Sequence, residues 1–492
     1  MSHTAPYPPF ALPQRTLSVT VASSTGDAGA VGHVIFAGEP APAAGLTVER
    51  LADLNFTGAA GQTLALVGSA GPRTILVGGG PRADVTAHVL RDAAAIFARS
   101  VQDVATLALV LPDTSVAARD AACAAVEGAV LARYVHRIGE DTGTSLSDLT
   151  LVASDATLAD ATAGAERGRH LVLATELGRD LAGTPGGILT ATRLGEVAVD
   201  VAAKSGLEVQ VFGEEELVEL GCGGLLGVNL GSVEPPVMVK LVYRPEGEPT
   251  GKLALVGKGI MYDAGGLAIK PGDEVHATMK NDMTGASNIL AAMSVLKELG
   301  CTAQVTGFLM CTDNMPSGSA LRMGDIIVMR GGKTVEIINT DAEGRLVMGD
   351  ALVLATEEPV DAIVDIATLT GACLKTFGTE IAGIMGNHDG VLAQIEAAAD
   401  RVDEPVWQLP LAKRYRNQIL SPMADLRNLG GPNAGTITAA LFLAEFVGDT
   451  PWAHIDIAGT GQSPVAYKWT NQGTTAFGTR LLIDLALNFT KP

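Results

Sequence analysis

The second half of the chain repeats one pattern, in which a short apolar run rich in β-branched residues precedes a stretch of helical character. The pattern predicts strands at 237–243, 253–256, 305–310, 335–339, 362–367 and 454–457, and helices at 283–298, 346–356 and 437–446. Strands that alternate with helices are typical of a mostly parallel sheet with helices on both faces. Because ligands bind beyond the carboxyl ends of such strands, we expect functional residues directly after the apolar runs.

The first part of the chain alternates in a similar way, with shorter elements. It predicts strands at 17–22, 32–36, 64–67, 74–77 and 106–111, and an amphipathic helix at 116–134. A chain of 492 residues is too long for one core. We therefore predict an α/β protein with an N-terminal α/β domain over residues 1–165, for assembly or regulation, and a larger C-terminal domain over residues 166–492. The larger domain would have a mostly parallel central sheet flanked by helices and would begin with a linking helix near 166–182.

The composition argues against several classes of protein. Lys and Arg number 34 and Asp and Glu number 54, so the net charge is −20, which opposes binding to nucleic acid and to anionic membranes. The five cysteines are widely spaced without a C-x-x-C pair, as expected in a reducing compartment. We find no secretory signal and no uncharged apolar stretch of about 18 residues that could cross a membrane. The protein is therefore expected to be cytoplasmic.

Several common motifs are absent or incomplete. The eight histidines never form H-E-x-x-H, which disfavours a histidine zinc protease; His276 and His454 are interpreted as structural. The sequence 331–334 resembles the end of a P-loop, but its first glycine is missing, and no G-x-S-x-G is present. The glycine turn at 78–80 is either a phosphate cradle or an ordinary tight turn.

Charged residues are instead concentrated among glycines in three segments, 256–271, 279–282 and 339–346. Each charged residue has a structural interpretation of its own. Lys258 could be a solvated loop residue, and Asp263 could form a turn. Asp282 could cap the following helix, and Thr340 with Glu343 matches a capping box.

These separate interpretations leave Gly344 unexplained, because glycine costs about 1 kcal/mol relative to alanine in a helix. If the segments converge, four acidic side chains meet in one cleft, where two carboxylates about 4 Å apart repel by about 4 kcal/mol at an effective dielectric near 20. Two divalent ions would neutralise them and form a two-metal hydrolytic site. Oxygen ligands favour Mn²⁺ or Mg²⁺, whereas an amine ligand shifts the preference toward Zn²⁺ or Co²⁺. We call the four side chains the carboxylate cluster: Asp263, Asp282, Asp341 and Glu343.

At these residues the sequence resembles the leucyl aminopeptidase family, the M17 cytosol aminopeptidases. The octapeptide Asn339-Thr-Asp-Ala-Glu-Gly-Arg-Leu346 matches the family signature without substitution. The elements Val256-Gly-Lys258-Gly, Asn314-Met-Pro-Ser-Gly318, Asp365-Ile-Ala-Thr-Leu-Thr-Gly371 and Asp456-Ile-Ala-Gly459 also match. The resemblance extends over nearly all of residues 175–485, and it implies that the larger domain is the catalytic one.

The resemblance implies a metal-dependent aminopeptidase that removes leucine-like, apolar N-terminal residues from peptides. It implies two divalent ions per subunit, Zn²⁺ and/or Mn²⁺, and attack by a metal-bridging water or hydroxide. Lys270 would stabilise the oxyanion, and Arg345 would hold a bicarbonate ion that accepts a proton. The metal ligands would be Lys258, Asp263, Asp282, Asp341 and Glu343, and the substrate would contact Met279, Thr368, Leu369, Gly371 and Ala458.

The resemblance also implies a homohexamer, a dimer of trimers. Two alternatives remain open at this point. One is a DNA-binding or architectural role, as in some relatives, which the negative charge disfavours. The other is a catalytically inactive structural shell. Two departures from the family pattern bear on the expected rim of the substrate pocket and therefore on specificity: residues 374–376, and a spacing between Lys270 and Asp282 that is one residue longer than in close relatives.

Overall fold

The computed structural model describes residues 7–66, 71–139 and 143–492. The chain divides into two compact units. The N-terminal unit comprises Pro13–Glu176 and Ser463–Gly473, and the C-terminal unit comprises Leu177–Gln462, Thr474–Pro492 and a short segment that ends at Leu12. The division falls inside the predicted linking helix, which is one helix, α4, in the structure.

The N-terminal unit contains a six-stranded sheet of order β1-β6-β5-β2-β4-β3. Its strands are β1 (Ser18–Ala22), β2 (Ala30–Ile35), β3 (Thr63–Leu66), β4 (Arg73–Gly78), β5 (Thr106–Val110) and β6 (Asp148–Val152), and the helices that begin in it are α1 (Val48–Asp53), α2 (Ala87–Ser100), α3 (Ala118–Ala132) and α4 (Leu158–Gly183). All strand pairs are parallel except β3 with β4. The five predicted strands and the helix at 116–134 are confirmed, except that Val67 lies outside the described residues.

Close packing explains the glycine turn at 78–80. A Cβ atom on Gly78 would lie 2.0 Å from the Ala59 carbonyl oxygen, and one on Gly79 would lie 2.9 Å from Val34. The glycines are required because backbone and core side chains approach them closely. This geometry supports the tight turn rather than the phosphate cradle.

The C-terminal unit contains the larger sheet and most of the helices. Its strands, with two that reach the division between the units, are β7 (Glu208–Phe212), β8 (Val237–Tyr243), β9 (Lys252–Asp263), β10 (Gln304–Asn314), β11 (Ile326–Val328), β12 (Thr334–Glu336), β13 (Ala362–Ala367), β14 (Ala382–Gly386), β15 (Val406–Gln408), β16 (Leu426–Arg427), β17 (Trp452–Asp456), β18 (Gln462–Ser463) and β19 (Gly473–Thr474). Its helices are α5 (Ala191–Ser205), α6 (Glu214–Glu219), α7 (Gly223–Asn229), α8 (Glu274–Ala277), α9 (Thr284–Met293), α10 (Gly344–Thr356), α11 (Gly371–Phe377), α12 (Asp389–Val402), α13 (Gly435–Ala444) and α14 (Thr479–Leu487), with 3-10 turns at Met279–Asn281 and Lys413–Ile419.

The eight-stranded sheet has the order β15-β14-β17-β13-β9-β10-β8-β7. Its four central strands, from β17 to β10, are mutually parallel, and antiparallel pairings occur only toward its edges. The predicted α/β class with a mostly parallel central sheet is therefore confirmed. The four central strands end at the same edge of the sheet, where ligands are expected.

Helices cover both faces of this sheet. On one face, β9 and α10 contribute Val256 and Leu346 to the same buried core. On the other face, α9 packs so closely that a Cβ on Gly257 would lie 2.8 Å from the Ala286 Cα atom. Successive residues of β9 thus face opposite sides of the sheet, where they contact α10 on one side and α9 on the other.

Several predicted boundaries are wrong: the strand predicted at 305–310 continues as β10 to Asn314, and the helix predicted at 283–298 ends as α9 at Met293. The strand predicted at 253–256 continues as β9 to Asp263, so Lys258 lies inside a strand instead of following it. The strand predicted at 335–339 ends at Glu336 and belongs to a separate three-stranded sheet of β11, β12 and β16. None of the helices in the described part of the chain is long and apolar enough to cross a membrane, and all five cysteines are buried free thiols.

Candidate active site

The predicted charged segments converge at the carboxyl edge of the central strands. Asp263 is the last residue of β9, and Asn314 is the last residue of β10. Asp282 follows the 3-10 turn at Met279–Asn281, and Glu343 directly precedes α10. Since strands and a helix N-terminus hold these residues, their side chains are placed by rigid elements.

Lys258 joins two members of the carboxylate cluster. Its Nζ atom lies 2.7 Å from an oxygen of Asp282 and 2.8 Å from an oxygen of Glu343, and it donates to the Thr368 carbonyl oxygen at 3.1 Å. The side chain is only 3% exposed. Lys258 is therefore a buried ion-pair partner, and its interpretation as a solvated loop residue is wrong.

Lys270 joins the other two members. Its Nζ atom lies 2.8 Å from an oxygen of Asp263 and 2.5 Å from an oxygen of Asp341. Asp341 is the most accessible member of the cluster, with a side chain that is 32% exposed. Each lysine ammonium group thus occupies the space between a pair of carboxylates.

Asn314 links the cluster from within. Its Nδ2 group donates to Asp263 at 2.8 Å, to the Thr340 carbonyl oxygen at 3.0 Å and, more weakly, to Glu343 at 3.3 Å. The sequence pattern did not predict a role for Asn314 in the site. Its position at the end of a central strand is the signal that would have identified it.

Burial and mutual repulsion perturb the acidic groups. Burial, together with the charge of Glu343, raises the pKa of Asp263 to about 6 and also raises the pKa of Asp341. Burial raises the pKa of Asp282 well above its ordinary value. Three of the four carboxyl groups are therefore costly to ionise without additional positive charge.

The neighbouring carboxylates stabilise the charged form of the two lysines. Burial alone would lower the pKa of Lys258, but the charges of Asp282 and Glu343 raise it above its ordinary value. The same competition, with Asp263 as the main partner, raises the pKa of Lys270. Burial would raise the pKa of Glu343, but the two lysines lower it. In the absence of other cations, both lysines are therefore ammonium ions.

Two of the capping interpretations are wrong, whereas the turn at Asp263 is present. Asp282 turns its side chain to Lys258 and accepts from Thr368 Oγ1 at 2.7 Å instead of capping α9. Thr340 Oγ1 donates to the Gly265 carbonyl oxygen, and no side chain in the described part of the chain caps the N-terminus of α10, so the predicted capping box is not formed. Asp263 does accept a turn hydrogen bond from the Gly265 amide at 2.8 Å, in addition to its contacts in the cluster.

Close contact with Lys258 explains why residue 344 is a glycine. A Cβ atom at this position would lie 2.7 Å from Lys258 Cε and 2.8 Å from Nζ. Carbon atoms in contact normally lie about 3.5–4.0 Å apart. The first residue of α10 is thus glycine because a buried lysine passes over it.

The cluster has the composition and spacing of a divalent cation site. Asp263, Asp341 and Glu343 each offer one carboxylate oxygen, and these three atoms lie within 4.8 Å of one another. Among the described residues, no histidine belongs to this group. Carboxylate oxygens suit hard divalent cations. The ammonium groups of Lys258 and Lys270 each lie between two carboxylates. The site therefore has room for two positive charges.

Arg345 lies beside the cluster and is fully buried. One terminal nitrogen donates to the Asn428 carbonyl oxygen at 2.9 Å, whereas Nε has no acceptor among the described residues. Burial lowers the pKa of Arg345 to about 10, so the side chain is still a cation at neutral pH. Asn428 also bonds the backbone of Ile338, Asn339 and Ala342 and so supports the signature octapeptide, a role not predicted from the sequence.

Four of the five predicted substrate contacts lie on two neighbouring loops after β13 and β17, and Asp456 joins these loops. Its carboxylate accepts from the amides of Leu369, Thr370 and Ala458 at 3.2–3.4 Å and from Thr370 Oγ1 at 2.7 Å. Like Asn314, it ends a central strand and was not predicted as a functional residue.

The predicted substrate contacts differ in accessibility. Thr368 touches Asp282 and is buried, whereas Gly371 opens α11 and faces open space, because a Cβ there would meet nothing within 4 Å. Met279 begins the 3-10 turn before Asp282 and is partly exposed. The two histidines remain outside the cluster: His454 Nδ1 lies 2.5 Å from Asp365, and His276 stacks on Tyr262.

Comparison with known proteins gives matches over most of the chain. Residues 176–483 match the model of the cytosol aminopeptidase family, catalytic domain, and residues 40–137 match that of its N-terminal domain. A probable cytosol aminopeptidase of Cyanothece sp. is 39% identical over 452 residues, 90% of this chain and 91% of the relative. A probable cytosol aminopeptidase of Synechococcus sp. is 40% identical over 457 residues, 90% of this chain and 89% of the relative.

A solved structure, the bottromycin maturation enzyme BotP in complex with Mn, is similar with a TM-score of 0.86 and 36% identity, over 93% of this chain and 99% of that chain. None of these three proteins is named for nucleic-acid binding. The alternative of a DNA-binding or architectural role therefore finds no support in them.

Proposed function

The chain belongs to the cytosol aminopeptidase family and is a peptidase hydrolase, and we propose that it removes apolar N-terminal residues from peptides with two divalent metal ions held by the carboxylate cluster. The observation that carries this proposal is the pairing of each lysine ammonium group with two carboxylates. The family and the Mn-containing structural relative support divalent metal cofactors. We propose that the two ions are Zn²⁺ and/or Mn²⁺.

The resemblance distributes the ligands between two positions. Lys258, Asp263, Asp282 and Glu343 would hold one ion, and Asp263, Asp341 and Glu343 would hold the other. When bound, the ions would supply Lewis-acid chemistry, polarising the scissile carbonyl and lowering the pKa of water. Lys258 would have to lose its proton to serve as a ligand, which a cation at bonding distance favours.

Lys270 is proposed to stabilise the oxyanion that develops on the scissile carbonyl. Its side chain is 18% exposed, so unlike Lys258 it is accessible from the open side of the cluster. Its raised pKa keeps it cationic. A positioned cation in a poorly hydrated site is an effective source of oxyanion stabilisation.

Arg345 is proposed to bind bicarbonate, which would accept a proton during the reaction. The buried Nε group without an acceptor offers a donor for such an anion. An external base suits this site because the carboxylates that could act as base are occupied by ion pairs. The chain contributes the anchoring cation, which Asn428 fixes in place.

Substrate selection is assigned to the loops after β13 and β17. The Leu369 carbonyl oxygen would receive the free α-amine, and Met279, Thr368, Gly371 and Ala458 would surround the first side chain. These residues are small or apolar, which suits leucine-like residues. Such a pocket discriminates by about 1–3 kcal/mol per methylene group, so related apolar residues should also be accepted.

A paired assay tests this function. The purified protein is expected to hydrolyse leucyl p-nitroanilide and to lose that activity after chelation, with recovery on addition of Mn²⁺ or Zn²⁺. N-acetyl-leucyl p-nitroanilide, which lacks the free amine, should not be cleaved. Full activity after exhaustive chelation, or equal cleavage of both compounds, would contradict the proposal.

The assembly and location remain proposals that rest on the family resemblance. We propose a homohexamer, a dimer of trimers, in the cytoplasm. Sedimentation velocity is expected to show a species of six chains. A stable monomer at micromolar concentration would argue against this assembly.

A further inference from the structure

A second cleft, of about 430 Å³, lies in the C-terminal unit and shares no residue with the carboxylate cluster. It is bounded by the 3-10 turn Lys413–Ile419 and by the turn that follows β16. None of the residues that line it is acidic, although acidic residues outnumber basic ones by 54 to 34 in the whole chain. The cleft is therefore locally cationic on a strongly anionic protein.

Arg427 supplies the positive charge. Its Nε group is buried and has no hydrogen-bond acceptor within the described part of the chain. Glu336 is its neighbour across β12 and β16; its carboxylate accepts from Ser421 Oγ at 2.5 Å, and in the described structure it forms no ion pair with Arg427. A buried donor without an acceptor is costly, so a ligand that accepts from it binds favourably.

Neutral side chains with amide donors line the same cleft as this guanidinium group. The side-chain amides of Asn417, Gln418 and Asn433 line the cleft. Gln418 Oε1 accepts from the Gly431 amide at 2.9 Å, which orients its side chain and leaves the Nε2 group as a donor. A planar guanidinium fork with amide donors around it matches the geometry of a carboxylate.

We propose that this cleft is a binding site for a carboxylate, with Arg427 as its charge partner. A single cation balances the single negative charge of a carboxylate. The ligand is either a free organic acid or the C-terminal carboxylate of a peptide. The residue after Arg427 is Asn428, which holds Arg345, so a ligand in the cleft lies next to the segment that supports the active site.

The first arm of the test measures binding of a free acid to the full-length protein. N-acetylglycine, which has a carboxylate but no amine, is titrated by calorimetry into the wild type and three variants. Arg427→Met is expected to raise the dissociation constant at least about tenfold, and Arg427→Lys, which keeps the charge but loses the fork, should give an intermediate value. The control is Arg414→Met on the neighbouring 3-10 turn, where an exposed arginine lies outside the cleft; it should bind like the wild type.

The second arm tests the substrate's own C-terminus and rests on the proposed aminopeptidase function. The ratio of KM values for Leu-Gly-Gly and its C-terminal amide is measured in the wild type, Arg427→Met and Arg414→Met. A preference for the free acid that is lost only in Arg427→Met identifies the peptide as the source of the carboxylate. If N-acetylglycine binding alone depends on Arg427, the source is a free acid, and the site is again supported.

The inference is overturned if neither N-acetylglycine binding nor the KM ratio differs between Arg427→Met and Arg414→Met. Failure of the proposed function gives a different result. In that case the wild type would not cleave leucyl p-nitroanilide under any metal condition, while the calorimetric comparison would still be interpretable.

Discussion

Replacing Gly344 by alanine should have different effects on the stability of α10 and on the geometry of the active site. An added Cβ would lie 2.7 Å from Lys258 Cε, about 1 Å inside normal carbon–carbon contact. The lysine cannot yield freely, because its Nζ atom is held by Asp282, Glu343 and the Thr368 carbonyl oxygen at 2.7–3.1 Å. A shift of about 1 Å would stretch these contacts beyond hydrogen-bond distance.

The two effects of Gly344→Ala on stability oppose each other. Alanine favours a helix by about 1 kcal/mol over glycine, whereas overpacking of a full core costs about 1–3 kcal/mol. The free energy of unfolding should therefore fall by only about 0–2 kcal/mol. Activity should fall much more, because a misplacement of about 1 Å in a catalytic site can cost roughly 10²-fold.

The assay compares kcat/KM for leucyl p-nitroanilide with thermal unfolding in Gly344→Ala and in a control, Gly349→Ala. Gly349 lies in the same helix, but its Cβ would press on the flexible end of Met329 and on Phe446, away from the cluster. We expect both variants to fold and only Gly344→Ala to lose activity. Wild-type kcat/KM in a folded Gly344→Ala variant would refute the explanation of this glycine.

Three further changes test other parts of the account. Lys270→Ala should lower kcat by about 10²–10³, and a change confined to KM would make Lys270 a binding residue instead. Asp341→Asn should lose most activity while keeping the fold, since this partly exposed side chain contributes ligand charge rather than core packing; unchanged turnover with saturating metal would contradict that role. Burial raises the pKa of Asp350 to about 7, so its folded form holds a proton more tightly than the unfolded chain, and the stability it contributes is complete below about pH 4 and is lost as the pH rises through 7. Asp350→Asn should therefore reduce the fall in thermal midpoint between pH 5 and pH 8, and an identical fall in both proteins would contradict the assignment.

The central sheet and the charged segments could be predicted from the sequence because their signals are local. The apolar runs at 237–243 and 362–367 coincide with β8 and β13. The end of β9 could not be predicted, because Gly257, Lys258 and Gly259 are poor strand formers by composition. Their strand conformation is stabilised by pairing with β10 and by the packing of α9, and such tertiary contacts override local preference.

The residues that organise the site were harder to predict. Asn314 and Asp456 each end a central strand, but only the folded sheet shows which loops their side chains connect. Asn428, which supports Arg345, directly follows a two-residue strand, β16, that carries little periodic signal. The assignment of Ser463–Gly473 to the N-terminal unit likewise depends on long-range contacts within that unit, such as Arg99 with Asn471 at 2.7 Å.

We propose that two metal ions bind the carboxylate cluster and that Lys258 changes from an ion-pair partner to a metal ligand, while Lys270 stays cationic. Calorimetric titration of the chelated wild-type protein with Mn²⁺, repeated in buffers of different ionisation enthalpy, measures both the number of ions and the protons released. We predict two ions per chain, with proton release as Lys258 becomes a ligand. Absence of binding, or a single ion bound without release of protons, would contradict the claim.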